Sequence, residues 1–459
     1  ACAHVCYQLD RGIVRELKLA SHGLKTAHAN LRTVALATGG DHLVLHGGKL
    51  EAGQLPDKDR AALADYHDRM LRFARVLGKQ HNRRPPRIGG GGRSELIAAA
   101  MLGLDIRRLG RDSMREFMRI AAINIFDVLE ETFETPLLKG ALALDAVLGT
   151  NLGPRSNNSV LTMLHRLSGQ AMGVTGGLSL PAGGMGAVSE ALAAAARAGG
   201  ATVRTGSPVA SITLEGDRVS GVELESGEKL AAGTVISNAD PARTLLQMLG
   251  AHHLETGFVH RIRNFRSKGM AAKLHLALDG LPGFSRLAAQ RAGDRLVIAP
   301  DPVYIDRAFD HAKYGQCSPD PALEITIPSI HDRTLAPPGR HVLSAIVQYA
   351  PFDPRASTDA ARAEFLGRTL GLLERYAPGL RRQVVASELL LPADIEREFR
   401  ITGGHWHHGE LAIDQFLMLR PAPGAAQYAM PVNGLYLCGA GCHPGGGVMG
   451  SAGRNAAHA

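Results

Sequence analysis

A chain of 459 residues with 45% apolar and 20% charged side chains has an ordinary globular composition, and its length is too great for one simple core. No apolar run reaches the roughly 18 residues that span a bilayer, and the opening residues show no signal-peptide pattern. Five thinly spread cysteines argue against a secreted disulfide framework and for a reducing compartment, so a cytoplasmic location is expected, or the mitochondrial matrix in a eukaryote. The net charge of +8 comes from scattered arginines, with one cluster at Arg83, Arg84 and Arg87. That pattern reads as a solvated surface: nucleic acid is not an expected partner, and membrane contact is expected at most peripherally.

In chain order, Ala1–Tyr7 begins as if inside a domain already under way, which gives the expectation of a fragment. His42–Leu50 suggests a hairpin around Gly47-Gly48. Asp57–Leu77 is an amphipathic helix, because Leu63, Tyr66, Met70, Phe73 and Leu77 recur at spacings of three and four opposite a charged side. After a Pro/Gly/Arg-rich linker over 83–92, helical patterns follow at Ser94–Leu102, Ser113–Thr132, Pro136–Leu148 and Val160–Leu167.

From Leu180 the texture alternates. Pro181–Gly186 opens a helix over Ala187–Ala198, which Gly199-Gly200 ends. Ala201–Thr205, Val209–Leu214, Arg218–Leu224 and Thr234–Ser237 read as strands, and Asn238–Pro241 hands the last of them to a helix at Pro241–Leu249. Further strands are expected at Met270–Leu278, Leu323–Ile330 and His341–Tyr349, with a helix at Glu364–Tyr376.

The chain closes on an apolar strand, Gly434–Cys438, that breaks into Gly439-Ala440-Gly441 and then Pro444 and Gly445-Gly446-Gly447. A helix is expected to start near Gly447, its free N–H groups facing an anion or a polarised ring carbonyl across glycines that let a flat ligand approach. The alternative is a turn that needs glycine only for its dihedrals. His405, His407 and His408, around the single tryptophan Trp406, form the densest titratable cluster. A proton relay or substrate contact is one reading for them, and ordinary loop histidines the other. A metal site from His405, His407, Cys438, Cys442 and His443 is set aside for want of a second Cys pair, as is a Cys438–Cys442 redox dithiol, whose spacing is wrong.

The segments TGSPVASI at Thr205–Ile212, GDRVSGVEL, VISNADP at Val235–Pro241, GELAIDQFLMLRP at Gly409–Pro421 and the terminal GLYLCGAGCHPGGGVMG together resemble the flavin-dependent oxidoreductases of the phytoene desaturase and amine oxidase group. The resemblance implies an α/β fold in which an FAD-binding Rossmann-like domain, truncated at its N-terminus, is interleaved with an α+β substrate domain of sheet plus helices. On this view residues 1–30 are a remnant of the FAD domain, 31–178 a helical part of the substrate domain and 179–250 the central FAD part. Residues 251–395 are then the substrate sheet, and 396–459 the closing strand, loop and helix. FAD is the implied cofactor, with Val209 and Asn238 toward the adenine, Gly439, Ala440 and Gly441 along the ribityl and pyrophosphate region, and Gly446, Gly447, Val448 and Met449 at the flavin. His405 and His408 are the implied substrate contacts, and no catalytic residue or metal is assigned. The implied reaction moves a hydride from a small lipophilic substrate to flavin. A flavin-assisted polyene isomerase or saturase, or a non-catalytic binding protein, are the alternatives, and the electron acceptor and oligomeric state stay open. The Gly-x-Gly-x-x-Gly turn of the group has no counterpart following a strand before Leu180.

Overall fold

The computed structural model describes residues 2–87, 92–171, 173–353 and 357–459. Most of the 83–92 linker falls at or beside residues 88–91, which lie outside that description.

An eight-stranded sheet forms the larger half. Its order is Val384–Leu390, Ala271–Leu278, His341–Gln348, Ala322–Thr326, Arg295–Ile298, Thr33–Ala35, Leu43–His46 and Lys49–Ala52. Every pairing is antiparallel except that of Arg295–Ile298 with Thr33–Ala35. One face is apolar: Leu274, Leu276, Leu323, Ile325, Leu343 and Val347 pack under the helix Asp359–Tyr376, whose Phe365, Leu372 and Tyr376 face them. Thr358 caps that helix, accepting from the Ala361 N–H at 3.2 Å.

A second core lies among helices. Asp57–Gly78 carries the expected stripe inward, with Met70 and Phe73 fully buried against Ile125–Thr132, Pro136–Val147 and Ser159–Leu167. Each such side chain contributes roughly 1.5–3 kcal/mol of burial free energy. A third core joins the meander Val209–Glu215, Arg218–Leu224 and Lys229–Ala231 to the strands Val235–Ser237 and Leu435–Leu437, which pair in parallel. This parallel pair brings Asn238, the residue after one strand, against Gly439, two residues after the end of the other.

Several expected elements differ in detail. Ser113–Thr132 is two helices, Arg111–Ile120 and Ile125–Thr132, because Asn124 accepts from the Asp127 N–H at 2.9 Å and starts a new helix there. Ala201–Thr205 is not a strand: it is exposed throughout, and no strand among the described residues pairs with it. The strand at Leu323 stops at Thr326, since Pro328 supplies no N–H to the ladder. The segment after Pro241 is a wide π-helical turn, Arg243–Met248. Most consequentially, the terminal helix spans Ser451–Ala457 and begins four residues after Gly447, because Gly447 (φ 139°), Val448 (φ 57°) and Gly450 (φ 79°) hold non-helical backbone. Among the described residues no helix is long and apolar enough to cross a membrane.

Candidate active site

A cavity of about 820 Å³, of cofactor and substrate size, opens where the parallel strand pair meets the polar face of the large sheet. Asn238, Gly439, Ala440, Gly446, Gly447, Val448 and Met449 all line it, so seven of the nine residues assigned to FAD share one wall. His408 lines it too, beside Trp406 and His407. Three assigned residues do not. Val209 lies in the meander opposite Leu224, and Gly441 is pressed against Pro241, where a Cβ would sit 2.3 Å from the proline Cδ. His405 is buried behind the wall with Nε2 3.5 Å from Glu410 Oε1.

The glycines have specific packing reasons. A Cβ on Gly439 would meet the Asn238 carbonyl at 2.4 Å, on Gly446 the His407 ring at 2.3 Å, and on Gly447 the Gln8 carboxamide at 1.8 Å. They therefore bring protein backbone close to protein as well as leaving a flat wall. Val448, half exposed at φ 57°, is a β-branched residue in the left-handed region, a costly conformation found where surrounding structure clamps a ligand site.

Arg420 holds this wall from behind. It is fully buried and donates to the carbonyls of Ala440 (2.8 and 3.1 Å), His407 (2.6 Å), Glu410 (2.8 Å), Gln415 (3.2 Å) and Gly409 (3.2 Å). Burial lowers its pKa to about 10, which leaves it cationic at neutral pH. His165 donates from Nε2 to the Gly446 carbonyl at 3.0 Å, and burial holds its pKa at about 4, so the ring is neutral. The N-terminal segment closes the other side: the Asp10 N–H donates to Met449 O at 3.1 Å, and the Gln8 carboxamide donates to His165 O.

The histidine cluster is not a surface loop. His405 and His407 are buried, burial drives His407 well below the ordinary imidazole range, and His408 falls to about 4 for the same first reason. The two terminal cysteines are likewise desolvated, Cys442 to a pKa of about 12, which is opposite to the activation a redox dithiol needs.

Sequence reading missed the charged groups on the far wall. Glu324 accepts from Arg295 at 2.5 Å and from Arg166, and His4 lies 3.0 Å away. Burial pushes this carboxyl upward, but the two guanidiniums and His4 outweigh it and hold it well below the usual range. Arg295 reaches on to Asp145 at 2.5 Å. Lys273 stands on the same sheet face, fully buried. The signal was available: a Lys in AAKLHLAL and a Glu in ALEIT place charges in mostly apolar strands. The cavity is apolar over Leu148, Ile346 and Trp406 and ends on a buried ionic wall that includes Arg166 and Glu324.

These residues fit the ring end of FAD: a cavity of adequate volume, a flat wall of backbone from Gly446 to Met449, and a clamped Val448. The part of this cavity built before Leu180 is made of the N-terminal segment, Leu148 and Arg166 rather than a glycine-rich phosphate cradle.

The sequence matches the family described as flavin containing amine oxidoreductase over residues 23–459. Pyridine nucleotide-disulfide oxidoreductase domain-containing protein 2 of Mus musculus is 38% identical over 77% of this chain and 62% of that protein, so the matched stretch spans less than two thirds of the relative. Phytoene desaturase (lycopene-forming) of Pantoea ananas is 25% identical over 74% of this chain and 67% of that enzyme. An oxidoreductase structure from Methanosarcina mazei superposes with a TM-score of 0.56 at 15% identity, covering 98% of this chain and 86% of that one, a likeness of fold.

Proposed function

The chain belongs to the flavin containing amine oxidoreductases, and from that membership we propose that it is an FAD-dependent oxidoreductase taking a hydride from a C–H bond of a small, largely apolar substrate. The observation that carries this reading is the single cavity in which the Gly446–Met449 backbone stands across from Leu148, Ile346 and Trp406. FAD, when bound, supplies the two-electron acceptor. The protein's own part is placement. Arg420 and His165 fix the loop that forms one wall, at Ala440 and Gly446. Trp406, Leu148 and Ile346 give the cavity its apolar lining. Desolvated His407 and His408 stay neutral at physiological pH and so place no positive charge beside the site.

The test is an absorbance spectrum of the full-length protein purified without added FAD. Flavin bands that bleach anaerobically when substrate is added support the proposal, and a preparation without any flavin band removes its basis.

A further inference from the structure

A second cavity, of about 470 Å³, adjoins the large one, and Ala3 and His4 line both. Its lining joins the polar face of the eight-stranded sheet, at Ser344, to apolar side chains from Leu180, Pro181 and Met185. That is room for a chain of about ten carbons. Two buried polar atoms of residues in this lining have no hydrogen-bond partner among the described residues: His4 Nδ1 and Ser344 Oγ. Both residues are more than nine-tenths buried, at 7% and 6% exposure. They are also neighbours on one sheet face. His4 Nε2 stands 3.0 Å from Glu324 Oε1, Glu324 lies directly opposite Ile346, and Ser344 is two residues along the strand from Ile346, a step of about 7 Å.

The surroundings fix the chemistry of these two atoms. Burial raises the Glu324 carboxyl, but Arg166, Arg295 and His4 outweigh it and keep it ionised. An ionised carboxylate only accepts, so His4 Nε2 carries the hydrogen of that contact. Burial lowers His4 to about 4, so its ring is neutral at physiological pH, and a neutral ring with its hydrogen on Nε2 has a bare lone pair at Nδ1. Nδ1 is therefore an acceptor without a donor, while the Ser344 hydroxyl is free to donate. One hydroxyl group answers both, giving its hydrogen to Nδ1 and accepting from Ser344. An ether or carboxylate oxygen only accepts and leaves Nδ1 buried without a partner, which is costly. A cationic head is opposed by Lys273 and Arg166, both of which act on His4 as positive charges.

We propose that His4 and Ser344 form a hydroxyl-binding subsite, and that the molecule taken into this chamber is a mostly apolar alcohol. As a binding site it stands on the chamber itself. That the alcohol is the far end of the substrate rests on the flavin reading above, together with the two residues that both cavities share.

The experiment is isothermal titration calorimetry of the full-length protein with 1-decanol and with its isomer 1-methoxynonane, which compares a head that donates with one that only accepts. Wild type is expected to bind 1-decanol about five-fold more tightly. His4→Leu removes the acceptor and should bind the two isomers equally. His4→Gln should keep the preference, because its amide can donate to Glu324 while its carbonyl faces the chamber. Ser344→Ala loses a donor that either oxygen can use, so it should weaken both isomers by about three-fold and leave their ratio as it was. No preference in wild type, or a preference that survives in His4→Leu, overturns the subsite. Should His4→Leu fail to fold by circular dichroism, His4→Phe makes the same comparison. Flavin absorbance is read on the same samples. Preference for the alcohol without a flavin band would retire the flavin reading and leave the subsite standing, whereas a flavin band without that preference would retire the subsite alone.

Discussion

Arg420 donates to the carbonyl of Ala440 from two nitrogens, Nη2 at 2.8 Å and Nε at 3.1 Å, and so ties the terminal glycine loop to the segment that carries His407. A lysine could reach only part of this set, since its three donors lack the planar fork. Arg420→Lys is expected to cost about 2–4 kcal/mol of stability and to release the flavin during gel filtration. The measurements are the melting temperature and the flavin-to-protein absorbance ratio. A ratio equal to wild type would mean that Arg420 does not position this loop for cofactor.

Glu324 is the shared acid of two buried guanidiniums, and removing its charge leaves both without full compensation. Glu324→Gln should destabilise the fold by about 3–5 kcal/mol in urea unfolding. Glu134→Gln, which breaks only the exposed pair with Lys58, should change stability by less than about 1 kcal/mol. Equal effects at the two sites would refute the idea that Glu324 anchors the sheet.

Lys273 titrates at about 7 in the folded chain, below its ordinary value, because burial penalises the charged form. Between pH 7 and the ordinary lysine range the unfolded chain binds the extra proton, so this residue makes stability rise with pH across that window. Lys273→Met removes the penalty. The variant should be more stable than wild type at pH 7, with the gap narrowing toward pH 10. A variant less stable throughout would show that the amine is satisfied in the fold.

His4, His165 and His443 are each buried, with pKa lowered to about 4. Depressed bases stabilise the fold above the ordinary imidazole value, and that stability drains away as pH falls from about 6.5 toward 4. Urea midpoints should drop steeply in this window. The slope should lessen in His443→Gln, which keeps a donor for the Gln80 carbonyl now 2.9 Å from Nε2. An unchanged slope in that variant would assign the acid sensitivity elsewhere.

Gly446 and Gly447 leave no room for a Cβ, with His407 and Gln8 at 2.3 and 1.8 Å. Gly446→Ala should force the loop from its place and cost about 1–3 kcal/mol together with flavin occupancy. Gly186→Ala, in a helix with nothing within 4 Å of its Cβ, should be neutral or stabilising by up to about 1 kcal/mol. The comparison of the two melting temperatures decides it.

How much of this was legible depended on the range of the interaction. The Asp57–Gly78 helix and the Arg218–Leu224 strand follow from local periodicity, which acts within a few residues of chain and is written there. The Gly446–Met449 wall was legible in part because its glycines and its preceding strand are contiguous in sequence. The start of the last helix was misplaced because Gly447, Val448 and Gly450 hold positive-φ backbone, and Gly447 packs against Gln8, some 440 positions away.

Sequence by itself determined the α/β elements, the terminal loop and, through motif resemblance, the flavin assignment. Only the tertiary structure decided that His405 and His407 are desolvated, that Arg420 gathers five carbonyls, and that Lys273, Ser344 and Glu324 share one buried face. Periodicity tells which residues avoid water, but a charge is matched or left over only once strands far apart in the chain fix their register, and that register is set by long-range pairing.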